Sequence, residues 1–189
     1  MPFHHPPATP QPGSDFTPLV MSAATPASDV RTLIVMRHSE AAYSGNDFAR
    51  PLTAHGRRIA ALQGATIAQR WGQIDLALTS GAARTVQTLE AMKSVGLAVR
   101  ATHGERSLYS ASWEEALALI RTVGAKVRTL LVLFHQPSVA ALTAMLTPES
   151  ERNTLRGGFP PATFAAGNVC TPWEALATWQ RPHIWQPRG

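Results

Sequence analysis

Three short runs of consecutive apolar residues are the feature that most limits how this chain can fold. They lie at residues 32–36 (TLIVM), 74–80 (IDLALTS) and 128–134 (RTLLVLF). A strand with one face in water alternates apolar and polar side chains, whereas continuous apolarity is typical of strands covered on both faces. Stretches with helical character separate the three runs. Strands that alternate with helices predict an α/β domain with a largely parallel sheet.

Local signals mark the helices and the remaining strands. Thr53 and Ser112 are typical residues for a helix N-cap, and Pro137 suits the start of a helix. The helices are predicted at 54–71, 82–94, 113–123 and 138–146. Further strands are predicted at 97–101 and in an antiparallel hairpin made from 162–170 and 174–182. The predicted fold is a three-layer α/β sandwich, with a mostly parallel central sheet flanked by helices and the hairpin at its edge.

The length and composition fit one folded domain preceded by a tail. A chain of 189 residues with 44% hydrophobic content is sufficient for a single core. Residues 1–30 are rich in Pro, Ser, Thr and Ala, and such segments bury too little apolar surface to offset the entropy lost on ordering. We therefore predict a disordered N-terminal tail over 1–30 and a folded domain over 31–185.

Charge and cysteine content argue against several classes of protein. The net charge of +5 favours encounter with anionic substrates such as phosphates. The arginines are scattered rather than gathered into a basic run, which argues against a nucleic-acid partner. The apolar runs are far shorter than the roughly 20 residues of a membrane span, so no membrane partner is expected. Cys170 is the only cysteine, which excludes an intramolecular disulfide and favours a reducing cytoplasm as the location.

Histidines and arginines follow the ends of the predicted buried strands. Arg37 and His38 come directly after the first strand, and His135 comes directly after the third apolar run. The second run leads into TSGAAR, which places Arg84 in the first turn of a helix, where free N–H groups attract anions. Arg50 can approach the same point from the loop after the first strand. Because open α/β sheets bind ligands at the carboxyl ends of their strands, we expect these side chains to converge.

Two imidazoles among arginines suit phosphoryl transfer through a phosphohistidine intermediate. A neutral imidazole can attack phosphorus in line, while guanidinium groups hold the equatorial oxygens and stabilise their charge. Nearby positive charge also lowers the pKa of a histidine, which keeps the nucleophile neutral near pH 7. Since the arginines supply the positive charge, we expect neither a metal nor another cofactor.

Four ordered motifs, MRHSEA, RPLTAHG, LTSGAARTVQT and VLFHQPSV, resemble successive signatures of the histidine phosphatase superfamily, which has the phosphoglycerate-mutase-like fold. The RPLT element and the short spacing are most similar to its SixA-type phosphohistidine phosphatases. The resemblance extends over about residues 31–181. It implies that His38 is the nucleophile and that His135 is a second pocket histidine, which holds the phosphoryl group. It also implies that Arg37, Arg50 and Arg84 bind phosphate.

Three positions depart from the pattern of that superfamily. Ser39 replaces the glycine common after the first histidine, Gly81 replaces the proline common after the second strand, and Phe134 replaces a small residue before the second histidine. None of these departures removes a catalytic side chain. Ser39 either donates a hydrogen bond to phosphate or is simply the small residue that this turn tolerates.

The general acid that protonates the leaving group is the residue that the sequence leaves most open. Many members of the superfamily use a glutamate or aspartate for this step. Glu105, after the predicted strand at 97–101, lies near the place where such an acid can fall, and it is our catalytic candidate. Glu40 is the other carboxylate expected on the side of the pocket.

The expected function is that of a phosphatase, acting through a phosphohistidine intermediate on protein phosphohistidine. One alternative is a phosphomonoesterase for small molecules. Another is a non-catalytic module that binds phosphorylated proteins, although binding alone does not require a nucleophilic imidazole. The expected partner is thus a phosphorylated protein or a small phosphorylated substrate, and the sequence leaves the oligomeric state open.

Overall fold

The computed structural model describes residues 1, 30–43, 45–155 and 158–187. The strands are β1 (Arg31–Arg37), β2 (Gln73–Thr79), β3 (Ala98–Gly104), β4 (Thr129–Phe134), β5 (Phe164–Val169) and β6 (Gln180–Trp185). The α-helices are α1 (Ala54–Trp71), α2 (Ala83–Lys93), α3 (Trp113–Arg121) and α4 (Ser138–Leu146). Short 3₁₀ turns lie at Arg106–Tyr109, Glu149–Leu155 and Trp173–Ala175. The tail predicted over 1–30 falls almost wholly outside the described residues.

One mixed sheet, in the order β3-β2-β4-β1-β5-β6, forms the centre of the described chain. The strands β3, β2, β4 and β1 pair in parallel, whereas β5 is antiparallel to both of its neighbours. The last residue pairs are Arg37 with Phe134 between β1 and β4, and Thr79 with Leu133 between β2 and β4. The carboxyl ends of these three strands therefore meet at one edge. The mostly parallel sheet with an antiparallel pair at its side is confirmed.

Helices cover both faces of this sheet. Leu33 and Val35 of β1 belong to a core that includes side chains of α3 and α4. Ile34 and Met36, which point to the opposite face, belong to a second core with side chains of α1 and α2. Successive residues of one strand thus enter two different cores, which explains the unbroken apolar run. The predicted three-layer α/β sandwich is confirmed. None of the helices in the described ranges has both the length and the apolarity to cross a membrane.

Element boundaries agree closely with the sequence except at β3 and in the C-terminal hairpin. Its second strand was expected within 174–182, yet β6 begins only at Gln180. Trp173 and Trp179 are fully buried, and their indole N–H groups donate to the Val127 carbonyl and the Thr147 hydroxyl. Because both indole groups are buried and hydrogen-bonded in the core, residues 173–179 do not pair as an extended strand. The strand predicted at 97–101 is longer than expected because its pairing with β2 continues to Gly104.

Candidate active site

His38 lies at the carboxyl end of β1, where bonds to neighbouring segments fix its backbone. Its N–H donates to the Phe134 carbonyl of β4 (3.2 Å), and its carbonyl accepts from the N–H of Ala162 (3.0 Å). The ring Nδ1 lies 2.7 Å from the backbone oxygen of Ser39. Because a carbonyl can only accept, Nδ1 carries the proton of the neutral ring. The lone pair therefore remains on Nε2.

His135 follows β4 and faces the ring of His38. The two ring centroids are 5.1 Å apart, with an angle of 55° between the planes. His135 is buried, and its Nε2 lies 2.7 Å from the hydroxyl oxygen of Ser80, which follows β2. The Ser80 hydroxyl is also 3.1 Å from that of Thr85 in α2. The ends of β1, β2 and β4 thus supply one histidine pair and the hydroxyl that orients it.

Both pocket histidines are held in the neutral form. Burial is the main cause that lowers the pKa of His38 from 6.5 to about 4; its hydrogen bond to the Ser39 carbonyl opposes the shift, and the charges of Arg84, Arg37 and Arg50 add to it. Burial and the charge of Arg84 likewise lower the pKa of His135 to about 3. At pH 7 the pocket therefore contains two neutral imidazoles next to arginine side chains.

Three arginines surround the histidines. Arg84 stands in the first turn of α2 with its side chain 8% exposed, and it lowers the pKa of His38 and of His135 more than any other charged residue does. Arg37 donates from Nη1 to the Phe159 carbonyl (2.9 Å). Arg50 donates from Nε to the Ala42 carbonyl (2.9 Å) and is close enough to act on the pKa of His38. The structure therefore brings together the five residues that the sequence predicts for the pocket, His38, His135, Arg37, Arg50 and Arg84.

Asp47 and Tyr109 also belong to this site, and the sequence reasoning missed both. Arg84 donates from Nη1 to the backbone oxygen of Asp47 (2.6 Å) and from Nη2 to its Oδ2 (3.0 Å). Arg50 donates from Nη1 to Oδ1 of Asp47 (3.0 Å), and the Tyr109 hydroxyl donates to Oδ2. These hydrogen bonds, the one from Tyr109 first, lower the pKa of Asp47, so it is a carboxylate at neutral pH. The ring of Tyr109 lies 5.4 Å from that of His135.

Ser39 and Glu40 connect the end of β1 to the start of α1. The buried Ser39 hydroxyl donates to the Gly56 carbonyl (2.7 Å), so the structure favours a structural role over contact with phosphate. The carboxylate of Glu40 accepts from the hydroxyl of Thr53 (2.6 Å), which is itself the N-cap of α1. Glu40 thus stabilises the N-terminal end of α1 through its hydrogen bond with Thr53.

Glu105 caps the 3₁₀ turn that carries Tyr109. Its carboxylate accepts from the N–H (3.0 Å) and the hydroxyl (2.8 Å) of Ser107, and these bonds lower its pKa. Nε2 of His103 lies 3.8 Å from Oε2 of this carboxylate. A carboxyl group with a lowered pKa is ionised at neutral pH and holds no proton to donate. The role of Glu105 as the general acid stays a prediction.

The two other departures from the superfamily pattern have local explanations. Gly81 has φ +75°, a conformation that the proline ring does not allow. Phe134 is 1% exposed and packs into the core beneath α3 and α4.

The chain is similar to uncharacterized proteins and to solved structures named as phosphatases. No family model matches it. An uncharacterized protein of Mycobacterium tuberculosis is 33% identical over 145 residues, which cover 73% of this chain and 89% of the relative. A structure from Nakamurella multipartitia, provisionally named phosphohistidine phosphatase SixA, is 30% identical with a TM-score of 0.72, over 85% of this chain and 98% of that one. A structure with the same provisional name from Agrobacterium tumefaciens is 26% identical with a TM-score of 0.66, over 83% and 99%.

Proposed function

The chain belongs to the histidine phosphatase superfamily, and from this premise we propose that it hydrolyses protein phosphohistidine through a phosphorylated His38. The observation that carries the proposal is the 2.7 Å contact between His38 Nδ1 and the Ser39 carbonyl. It leaves Nε2 unprotonated beside Arg37, Arg50 and Arg84. A nucleophile with a free lone pair, surrounded by cations, is what attack on a phosphoryl group requires.

The reaction has two displacements at phosphorus. In the first, Nε2 of His38 forms a bond to phosphorus while the bond from phosphorus to the nitrogen of the substrate imidazole breaks. The departing imidazole takes a proton from solvent. In the second, a water oxygen attacks phospho-His38, the bond from phosphorus to Nε2 breaks, and inorganic phosphate leaves. The released water proton passes to solvent, and His38 returns to its starting form with Nδ1 protonated.

A buried donor in the site supports an oxyanion as the bound group. Arg37 Nε is buried and makes no hydrogen bond within the part of the chain that the structure describes. Buried polar atoms without partners are rare in folded proteins. An oxygen of the phosphoryl group is an acceptor that would pair with the N–H of Arg37 Nε. We propose that His135 and the three arginines hold the phosphoryl oxygens, with guanidinium groups making two-point contacts.

The state of Glu105 supports phosphohistidine over phosphate esters as the substrate. An alkyl ester leaves as a basic alkoxide, and protonation by an enzyme acid typically accelerates such a step by about 10²–10⁴-fold. An imidazole nitrogen has a reference pKa of about 6.5, so solvent can protonate it. Glu105 is ionised and bonded to Ser107, which makes it a poor proton donor.

A panel of substrates tests this proposal. We expect kcat/KM for a phosphohistidine peptide to exceed that for a phosphoserine peptide or a sugar phosphate by at least about 10²-fold. Glu105→Gln is expected to slow phosphohistidine turnover only modestly. Glu174→Gln is the matched control, because Glu174 is exposed in the turn Trp173–Ala175, which is bonded to Val127 before the start of β4, at the opposite end of the sheet. Fast turnover of an ester that Glu105→Gln abolishes would instead make Glu105 a general acid and the protein a phosphomonoesterase.

A further inference from the structure

We propose that Asp47 is an internal counterion of the phosphate-binding arginines, a positioning residue whose negative charge competes with the phosphoryl group for Arg84 and Arg50. This inference rests on the proposed function, because it takes these arginines to be ligands of the phosphoryl group. It adds a residue that sets how tightly the pocket holds its anion.

The contacts of Asp47 use the same donors that would bind a phosphoryl group. Arg84 directs both Nη atoms at Asp47, one to the backbone oxygen (2.6 Å) and one to the carboxylate (3.0 Å). Arg50 donates from Nε to the Ala42 carbonyl and from Nη1 to the carboxylate of Asp47. A planar guanidinium recognises phosphate through paired N–H groups, so two-point contacts from these arginines require donors that Asp47 now shares.

The loop around Asp47 is held independently of its carboxylate. The Phe48 carbonyl accepts from the N–H of Ala83, the first residue of α2 (3.0 Å), and the ring of Phe48 lies 5.1 Å from that of Tyr109. The backbone oxygen of Asp47 also accepts from the N–H of Arg50 (3.3 Å). A substitution that keeps the shape of Asp47 therefore leaves the loop in place while it removes the negative charge and one of the two acceptor oxygens beside the arginines.

The negative charge of Asp47 brings the net charge of the pocket close in size to the opposite charge of a phosphoryl group. Arg37, Arg50 and Arg84 contribute three positive charges, Asp47 contributes one negative charge, and both histidines are neutral, which leaves a net charge of +2. A phosphoryl group carries about −1.5 to −2 at pH 7. Without Asp47 the pocket would have a net charge of +3 and would hold product phosphate more tightly.

Anion binding by Asp47→Asn tests the proposal, since asparagine keeps the shape and one acceptor oxygen but removes the charge. We expect calorimetric Kd values for inorganic phosphate and for orthovanadate to fall roughly three- to tenfold, the order for one charge at a partly exposed site. The difference should shrink as salt is raised. Asp47→Ser, which is neutral but shorter, should change affinity in the same direction. Glu174→Gln removes one negative charge far from the site and should leave both Kd values unchanged.

The opposite direction would overturn the proposal. If Asp47→Asn and Asp47→Ser bind both anions more weakly than the wild type, Asp47 only holds the arginines in place. Equal Kd values would show that its charge has no part in anion binding. A wild-type protein that binds neither anion would overturn the phosphate pocket itself, and with it the proposed function, which is a different result from either of these.

Discussion

At the scale of single residues, the ability of His38 to act as a nucleophile depends on which of its ring nitrogens carries the proton. The Ser39 carbonyl fixes the proton on Nδ1, and burial together with nearby arginines keeps the ring neutral. The positions of His38 and His135 after buried strands are readable in the sequence. The tautomer of His38 cannot be read from the sequence, because it depends on the direction of the Ser39 carbonyl in the folded chain.

The ionisation of the pocket histidines can be measured directly. A histidine of ordinary pKa is about nine-tenths protonated at about pH 5.5. His38 and His135 have pKa values of about 4 and about 3, so protonation sets in only as the pH falls well below that point. In protein labelled with ¹⁵N-histidine, we expect both rings to keep the shifts of neutral imidazole down to about pH 5.5, with His38 protonated on Nδ1.

Replacing Arg84 provides the control for this titration. The charge of Arg84 lowers the pKa of both histidines, so Arg84→Met should raise both midpoints, although burial will still hold them below 6.5. His38→Asn identifies which signals belong to His38. A midpoint at the ordinary value for His38 in the wild type would contradict the account of a buried, neutral nucleophile.

Asp47 and Tyr109 show what the sequence cannot reveal at this scale. Tyr109 donates to the carboxylate of Asp47 across 62 positions of sequence. Neither residue follows a strand directly, and neither lies in a recognisable pattern. Loop side chains reach a site through the way loops pack on the scaffold, and that packing leaves no periodic signal. The spacing of Asp47 three positions before Arg50 was the only local hint.

At the scale of elements, the junction of β1 with α1 sets the position of His38. Ser39 donates to the Gly56 carbonyl, and Thr53 both caps α1 and donates to Glu40. Gly56 permits this close approach, because a Cβ at that position would overlap the backbone oxygen of Glu40. The glycine of the RPLTAHG motif is therefore a packing requirement of the site. The sequence supplied the motif, but only the structure identifies the backbone that Gly56 meets.

Gly56→Ala should damage both stability and activity. The added methyl group forces the Glu40 backbone away from α1, which we expect to cost about 1–3 kcal/mol of unfolding free energy. The displaced turn should also lower kcat, since Ser39 positions His38. Urea unfolding and steady-state kinetics measure the two effects.

Gly124→Ala is the matched control for that substitution. Nothing lies within 4 Å of a Cβ at Gly124, and its backbone is outside the left-handed region. We expect this variant to keep the stability and the rate of the wild type. If Gly56→Ala also kept both, the close approach of α1 to the turn after β1 would not matter for the site.

For the whole molecule, the parallel sheet explains why distant residues form one site. The ends of β1, β2 and β4 lie side by side, and each presents a histidine, a hydroxyl or the start of a helix at the same edge. The continuous apolar runs therefore predicted both the sheet and the place of the site. The C-terminal hairpin was placed less well, because the buried tryptophans at 173 and 179 reflect packing into the core shared with α3 and α4 rather than strand alternation.

Trapping the phosphorylated enzyme tests the central claim most directly. Wild-type protein is mixed with a phosphohistidine peptide labelled with ³²P, quenched in alkali within the first turnover, and mapped by mass spectrometry. We expect one base-stable, acid-labile phosphoryl group, located on His38. His38→Ala, shown by circular dichroism to be folded, should neither carry the label nor turn over the peptide. Label on another residue, or wild-type turnover by His38→Ala, would contradict the assignment of His38 as the nucleophile.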